Sequence, residues 1–118
     1  MSNPNNKLDL SQFYGSENLY FNPMFKAIKY TEGVKYIGDN GASWLVTDIL
    51  CFLSNLKKLQ GQEFLHIVLT VADGKGKLTF DDGNENVLFT SKYEYTDFPL
   101  NKVSFYCEYN TLMLVSER

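Results

Sequence analysis

The chain has 118 residues, carries 11 Lys and Arg against 14 Asp and Glu for a net charge of -3, and is 15% aromatic. That length suits one domain, and so many large apolar groups exclude an intrinsically disordered chain. Its 8 Gly and 2 Cys exclude collagen-like and disulfide-dense scaffolds, while the mildly acidic balance leaves no general nucleic-acid footprint and is too weak to mimic DNA.

In chain order, residues 1–9 read as a flexible lead and 10–118 as a single α+β domain. Met1 to Asn6 is polar, with no apolar signal core. Asp9 is placed to cap a first short helix over Leu10 to Phe13. Pro23 suits a first helical turn, so Met24 to Tyr30 reads as a second short helix, with a strand as the alternative. Thr31 can cap a third helix, Glu32 to Ile37, before Gly38-Asp39-Asn40-Gly41 interrupts the pattern. The clearest helix runs from about Ala42 to Lys58, because Leu45, Ile49, Phe52 and Leu56 share one stripe; Gly61 can end it in a left-handed cap.

Beyond Gly61 the apolar period changes to two. Leu65, Ile67, Leu69 and Val71 alternate with Phe64, His66, Val68 and Thr70 in a first strand. Turns at Asp73-Gly74 and Asp81 to Asn84 bracket a second strand, Lys77 to Phe80. A third runs from Val87 to Tyr95, Asp97-Phe98-Pro99 forms a corner, and Val103 to Glu108 and Thr111 to Val115 complete the set. Helices first and strands second predict an α+β fold, with N-terminal helices packed on a five-stranded, mostly antiparallel β-meander.

The residues that could carry chemistry are few. His66 is the one histidine, and a Cys-His pairing would need Cys51 or Cys107 within reach, with an exposed low-pKa thiol. The two Cys read as free buried thiols. One His and two scattered Cys lack the close-spaced ligand pairs of a zinc site, and no cofactor is expected. Asp81-Asp82-Gly83-Asn84-Glu85 does not follow the ligand spacing of a calcium loop and reads as a solvated hairpin turn. Gly74-Lys75-Gly76-Lys77 lacks phosphate-loop spacing, so Lys75 and Lys77 read as blunting a strand edge. Asp48 falls near the rim of the apolar helical stripe, bonded to backbone or to a Tyr, or contributing a polar contact at a pocket.

Phe13, Tyr14, Tyr20, Phe21 and Phe25 crowd one irregular segment, and Tyr93, Tyr95 and Phe98 crowd another. Such rings supply contact area at low entropy cost. Base stacking on them is the alternative, though no lysine stripe accompanies them.

Several words of the sequence carry a resemblance. Leu10-Ser11-Gln12-Phe13-Tyr14-Gly15 with Glu17, Tyr30 to Tyr36, the set Gly41, Ala42, Trp44, Leu45, Asp48 and Ile49, and Tyr95-Thr96-Asp97-Phe98-Pro99-Leu100 with Leu112-Met113-Leu114 and Ser116-Glu117 are the residues concerned. Together they resemble an uncharacterised small-protein family of bacteria, phages and mobile elements, over nearly the whole chain. The resemblance implies a free-standing protein of the mobile gene pool and no particular activity. The expectation is therefore a cytoplasmic, non-enzymatic module that binds a host protein. Inhibition of a defence protein such as a CRISPR nuclease is its sharp form, with contacts at Tyr14, Tyr93, Tyr95, Asp97 and Phe98. The alternatives are a small nucleic-acid-binding module and a hydrolase built on Cys107 and His66.

Overall fold

In the computed structural model of the chain, residues 18–118 are described. Seven strands form one sheet: β1 (Leu19–Asn22), β2 (Phe25–Thr31), β3 (Phe64–Ala72), β4 (Lys75–Asp81), β5 (Val87–Tyr93), β6 (Lys102–Glu108) and β7 (Thr111–Leu114). Their order across the sheet is β1-β2-β7-β6-β3-β4-β5. Neighbours are antiparallel except β2 and β7, which run parallel. Two helices, α1 (Glu32–Ile37) and α2 (Ser43–Asn55), carry the chain from β2 across two strand positions to β3. No helix among the described residues is long and apolar enough to cross a membrane.

This architecture corrects the expected five-stranded meander under N-terminal helices. The five expected strands are present as β3 to β7, but β1 and β2 extend the sheet beyond β7, and the parallel β2–β7 pair makes it mixed. Met24 to Tyr30 lies in a strand hairpin instead of a helix. Its Pro23 occupies a tight turn in which the Met24 N–H donates to Asn22 Oδ1 at 2.8 Å, and the period over Ile28 and Tyr30 is that of a strand. Helix α2 ends at Asn55, short of the expected Lys58, because Leu56 turns extended and lets Leu59 drop into the open end of the core. Strand β5 stops at Tyr93, two residues short of Tyr95. The expected helix at Asp9 lies outside the described residues.

Strand alternation gives the sheet two faces. On the inner face Leu65, Ile67 and Leu69 pair across strands with Phe80, Leu78, Val103, Phe105 and Cys107, all buried. Helix α2 covers this face with Leu45, Ile49 and Leu53, and its Phe52 ring meets Phe80 and Phe89 at 5.9 and 4.9 Å. Burial of each such side chain contributes about 1.5–3 kcal/mol. The helical stretch bends where Asn40 and Gly41 leave helical geometry, and Asn40 Nδ2 donates to the Tyr36 carbonyl at 2.7 Å.

One buried carboxylate ties the helical layer to the sheet. Glu117 accepts from Thr31 Oγ1 at 2.6 Å, from Leu114 N at 3.0 Å and from Gly33 N at 3.1 Å. Thr31 precedes α1 as expected of its cap, yet its hydroxyl makes no capping bond; Glu117 instead meets the free N–H of Gly33. The approach explains the glycine, since a Cβ at position 33 would lie 2.5 Å from Glu117 Oε1.

Candidate functional site

No described element packs on the outer face of the sheet, and cross-strand register arranges its residues in rows. One row is Asp81–His66–Tyr106–Met113, and the next places Phe64 opposite Glu108. The Phe64 and Tyr106 rings lie 5.0 Å apart, and His66 lies 5.5 Å from Tyr106. Arg118 spans both rings, its guanidinium 5.0 Å from Phe64 and 5.3 Å from Tyr106, within cation–π range. The same guanidinium donates to Glu108 at 2.9 and 3.4 Å. His66 Nδ1 lies 3.2 Å from Asp81 Oδ2. Gly83, at φ 87°, brings its backbone under Phe64, where a Cβ would stand 2.8 Å from the ring. The result is a platform of rings, one ion pair and a His66–Asp81 contact that stays partly accessible to solvent.

At the other end of this face the register builds a basic row. Lys92 lies directly opposite Lys77, Lys77 opposite Thr70, and Thr70 opposite Lys102. Lys75 is one step further out on β4, and all four lysines are exposed. The expected edge role of Lys75 and Lys77 is corrected, because β4 is paired on both sides and β5 is the edge. A lysine stripe therefore exists, across the strands and not along them.

The predicted contact residues do not form one surface. Tyr14 lies outside the described residues. Tyr93 is half-buried and packs edge-on against Trp44 at 5.2 Å, while its hydroxyl donates to Asp48 Oδ2 at 2.8 Å. Asp48 is thus bonded to a Tyr, one of its two expected roles. Burial above all, and then the Asp48 carboxylate, hold the Tyr93 hydroxyl well above the ordinary tyrosine range. Tyr95 is 77% exposed and Asp97 is also exposed, but Phe98 is buried in the core. Inward Thr96 and Phe98 alternate with outward Tyr95 and Asp97. The Thr96 N–H donates to the Gly74 carbonyl at 2.7 Å, and the Phe98 N–H donates to Thr96 Oγ1 at 3.1 Å. The Tyr-Thr-Asp-Phe-Pro-Leu word thus closes one end of the sheet.

The Cys107–His66 pairing is not made. Cys107 pairs with Leu65 on the inner face and His66 with Tyr106 on the outer one, so the sheet separates them. Burial pushes the Cys107 thiol up to about 11, which is the reverse of an activated nucleophile. Both Cys are free thiols, but only Cys107 is buried; Cys51 is half-buried on α2. The Asp81 to Glu85 turn uses its own carboxylates: Asp82 accepts from the Asn84 and Asn86 N–H groups and from the Asn86 amide. These bonds hold the Asp82 carboxyl below the usual range, the Asn86 side chain contributing most. Among the described residues, no group of three His, Cys, Asp or Glu could hold a metal ion.

The class this defines is an α+β domain, a mixed seven-stranded sheet among the described residues, covered by helix on one face and by no described element on the other. The chain belongs to DUF6876, a family of unknown function, whose profile matches residues 4–118. No curated protein matches it. Among solved structures it is similar to a protein of unknown function from Enterococcus faecalis. That likeness has 21% identity and a TM-score of 0.52, covers 75% of this chain and 87% of the other, and shows the fold alone.

Proposed function

We propose that the chain is a non-enzymatic protein-binding module whose partner docks on the outer face of the sheet. The observation that carries this reading is the platform of Phe64, His66, Tyr106 and Arg118, flanked by Glu108 and Asp81, on which no described element packs. Tyr and Arg are the side chains most enriched where a few contacts dominate binding. The sharper form is inhibition of a host defence protein, such as a CRISPR nuclease, by a chain of phage or mobile-element origin. Its support is the family resemblance of the sequence and the small size of the domain.

Affinity capture from a bacterial host lysate tests the reading. The unaltered chain is expected to retain a stoichiometric protein, and Tyr106→Ala and Arg118→Glu to lose it, while Tyr95→Ala retains it. Equal capture by Tyr106→Ala, or no captured protein, overturns the outer-face reading; loss with Tyr95→Ala alone moves the contact to the Tyr95–Asp97 corner. Unchanged target cleavage by a CRISPR nuclease incubated with the chain removes that particular target.

A further inference from the structure

We infer that the lysine row of the outer face receives an acidic segment of the partner protein, whose carboxylates meet Lys77, Lys92 and Lys102. The inference rests on the protein-binding reading and supplies the chemistry of the partner. Its starting point is a conflict within the sheet. Lys77 and Lys92 are direct cross-strand neighbours, and like charges in that position destabilise a sheet. Among the described residues Lys35 pairs with Asp39 and Arg118 with Glu108, and no ion pair relieves Lys77 and Lys92.

Edge protection does not account for the row. A lysine on the open edge strand β5 can guard against unwanted strand pairing, which would explain Lys92. Lys77 and Lys102 lie on the interior strands β4 and β6, where there is no edge to guard. From Lys92 to Lys102 the row crosses three strand spacings, about 14 Å, a span an extended peptide of a few residues can follow. Lys75, Lys77 and Lys92 also line a hollow of about 170 Å³ in which, among the described residues, Glu94 is the one carboxylate.

A protein carboxylate fits this face better than a nucleic-acid strand. On the outer face, the Phe64 and Tyr106 rings are already spanned by Arg118. Glu108 and Asp81 stand beside those rings and would repel a continuous phosphate backbone. Discrete carboxylates at the lysine end avoid both obstacles.

The test uses the full chain and a fluorescent oligo-glutamate peptide, read by anisotropy. Saturable binding is expected at about 20 mM salt, with loss by about 200 mM as screening tightens. Lys77→Glu is expected to weaken binding about tenfold or more. The same change turns a like-charge pair into an opposite one, so the thermal midpoint is expected to rise by about 2 °C. Weaker binding in a more stable protein separates a lost contact from a lost fold. No peptide binding at low salt overturns the inference, as does binding that Lys77→Glu leaves unchanged. Tighter, equally lysine-dependent binding of oligothymidylate overturns it in favour of nucleic acid. If the peptide fails while lysate capture remains sensitive to Tyr106→Ala, the acidic segment is wrong and the protein-binding reading stands.

Discussion

Phe105 and Tyr106 are neighbours on β6, yet they belong to different environments. Phe105 points into the inner face and is fully buried among Ile67 and Leu114, its cross-strand partners. Tyr106 points outward, beside His66, Phe64 and under Arg118, with no described element above it. The contrast shows that aromatic content alone is a poor guide to role. One ring fills a core that hydrophobic transfer explains, whereas the other lies on a surface that the described elements leave open.

The largest expected effect tests that contrast directly. Phe105→Ala should cost about 3–5 kcal/mol through lost burial and a residual cavity. Tyr106→Ala should cost less than about 1 kcal/mol, as a substitution outside the packed interior. Denaturant midpoints measured side by side check both. A Tyr106→Ala penalty as large as that of Phe105→Ala would mean that the outer face is covered in solution, and the two faces would no longer differ in kind.

A second prediction concerns how the inner face keeps its helical cover. Glu117→Ala strips the acceptor from Thr31 Oγ1, Gly33 N and Leu114 N, and leaves buried donors unpaired. The expected loss is about 2–4 kcal/mol, seen as a lower unfolding midpoint. Glu117→Gln should recover part of it, since an amide oxygen still accepts. A loss below about 0.5 kcal/mol would show that α1 is held by its apolar side, Val34 and Ile37, without the carboxylate.

Much of the inner face was legible in the sequence, and the outer face much less so. Period-two alternation located β3 to β7 because each has a mainly apolar side, interrupted in β5 by Ser91, and the Leu45–Ile49 stripe located α2. The β1–β2 hairpin was obscured because Pro23 serves a helical first turn and a tight turn equally well, and Lys26, Ala27 and Lys29 bring helical propensity into a strand. Register carried the rest. Lys77, Lys92 and Lys102 lie on three strands separated by turns of different length, so only the pairing of β5, β4, β3 and β6 reveals them as a row. The same applies to Arg118 over Phe64, 54 positions apart by number. The Tyr93 to Phe98 cluster misled for a different reason: a ring crowd before a Pro looks exposed, but Phe98 and Thr96 turn inward to close the sheet end.

The smallest of the effects concerns how dry the inner face is at Cys107. Its thiol is pushed from the ordinary 9.0 up to about 11 by burial, against a weaker opposing pull from the Asn110 N–H. Below pH 9 the thiol is protonated in both states and its contribution to stability is complete. Between pH 9 and about 11 the unfolded chain gives up the proton while the folded chain keeps it, so stability falls as pH rises. The full fall is about 3 kcal/mol, at roughly 1.4 kcal/mol per pH unit, of which about 1 kcal/mol is lost between pH 9 and 10. Tyr93 adds a fall of its own above pH 10, because its folded hydroxyl is also held up by burial. The window from pH 9 to 10 therefore isolates the thiol. Cys107→Ala should flatten the stability profile there, while Tyr93→Phe should change it only at higher pH. An unflattened profile in Cys107→Ala would place water at the β6–β7 end of the inner face, making that end of the two faces more alike than the packing of Leu65, Cys107 and Leu112 implies.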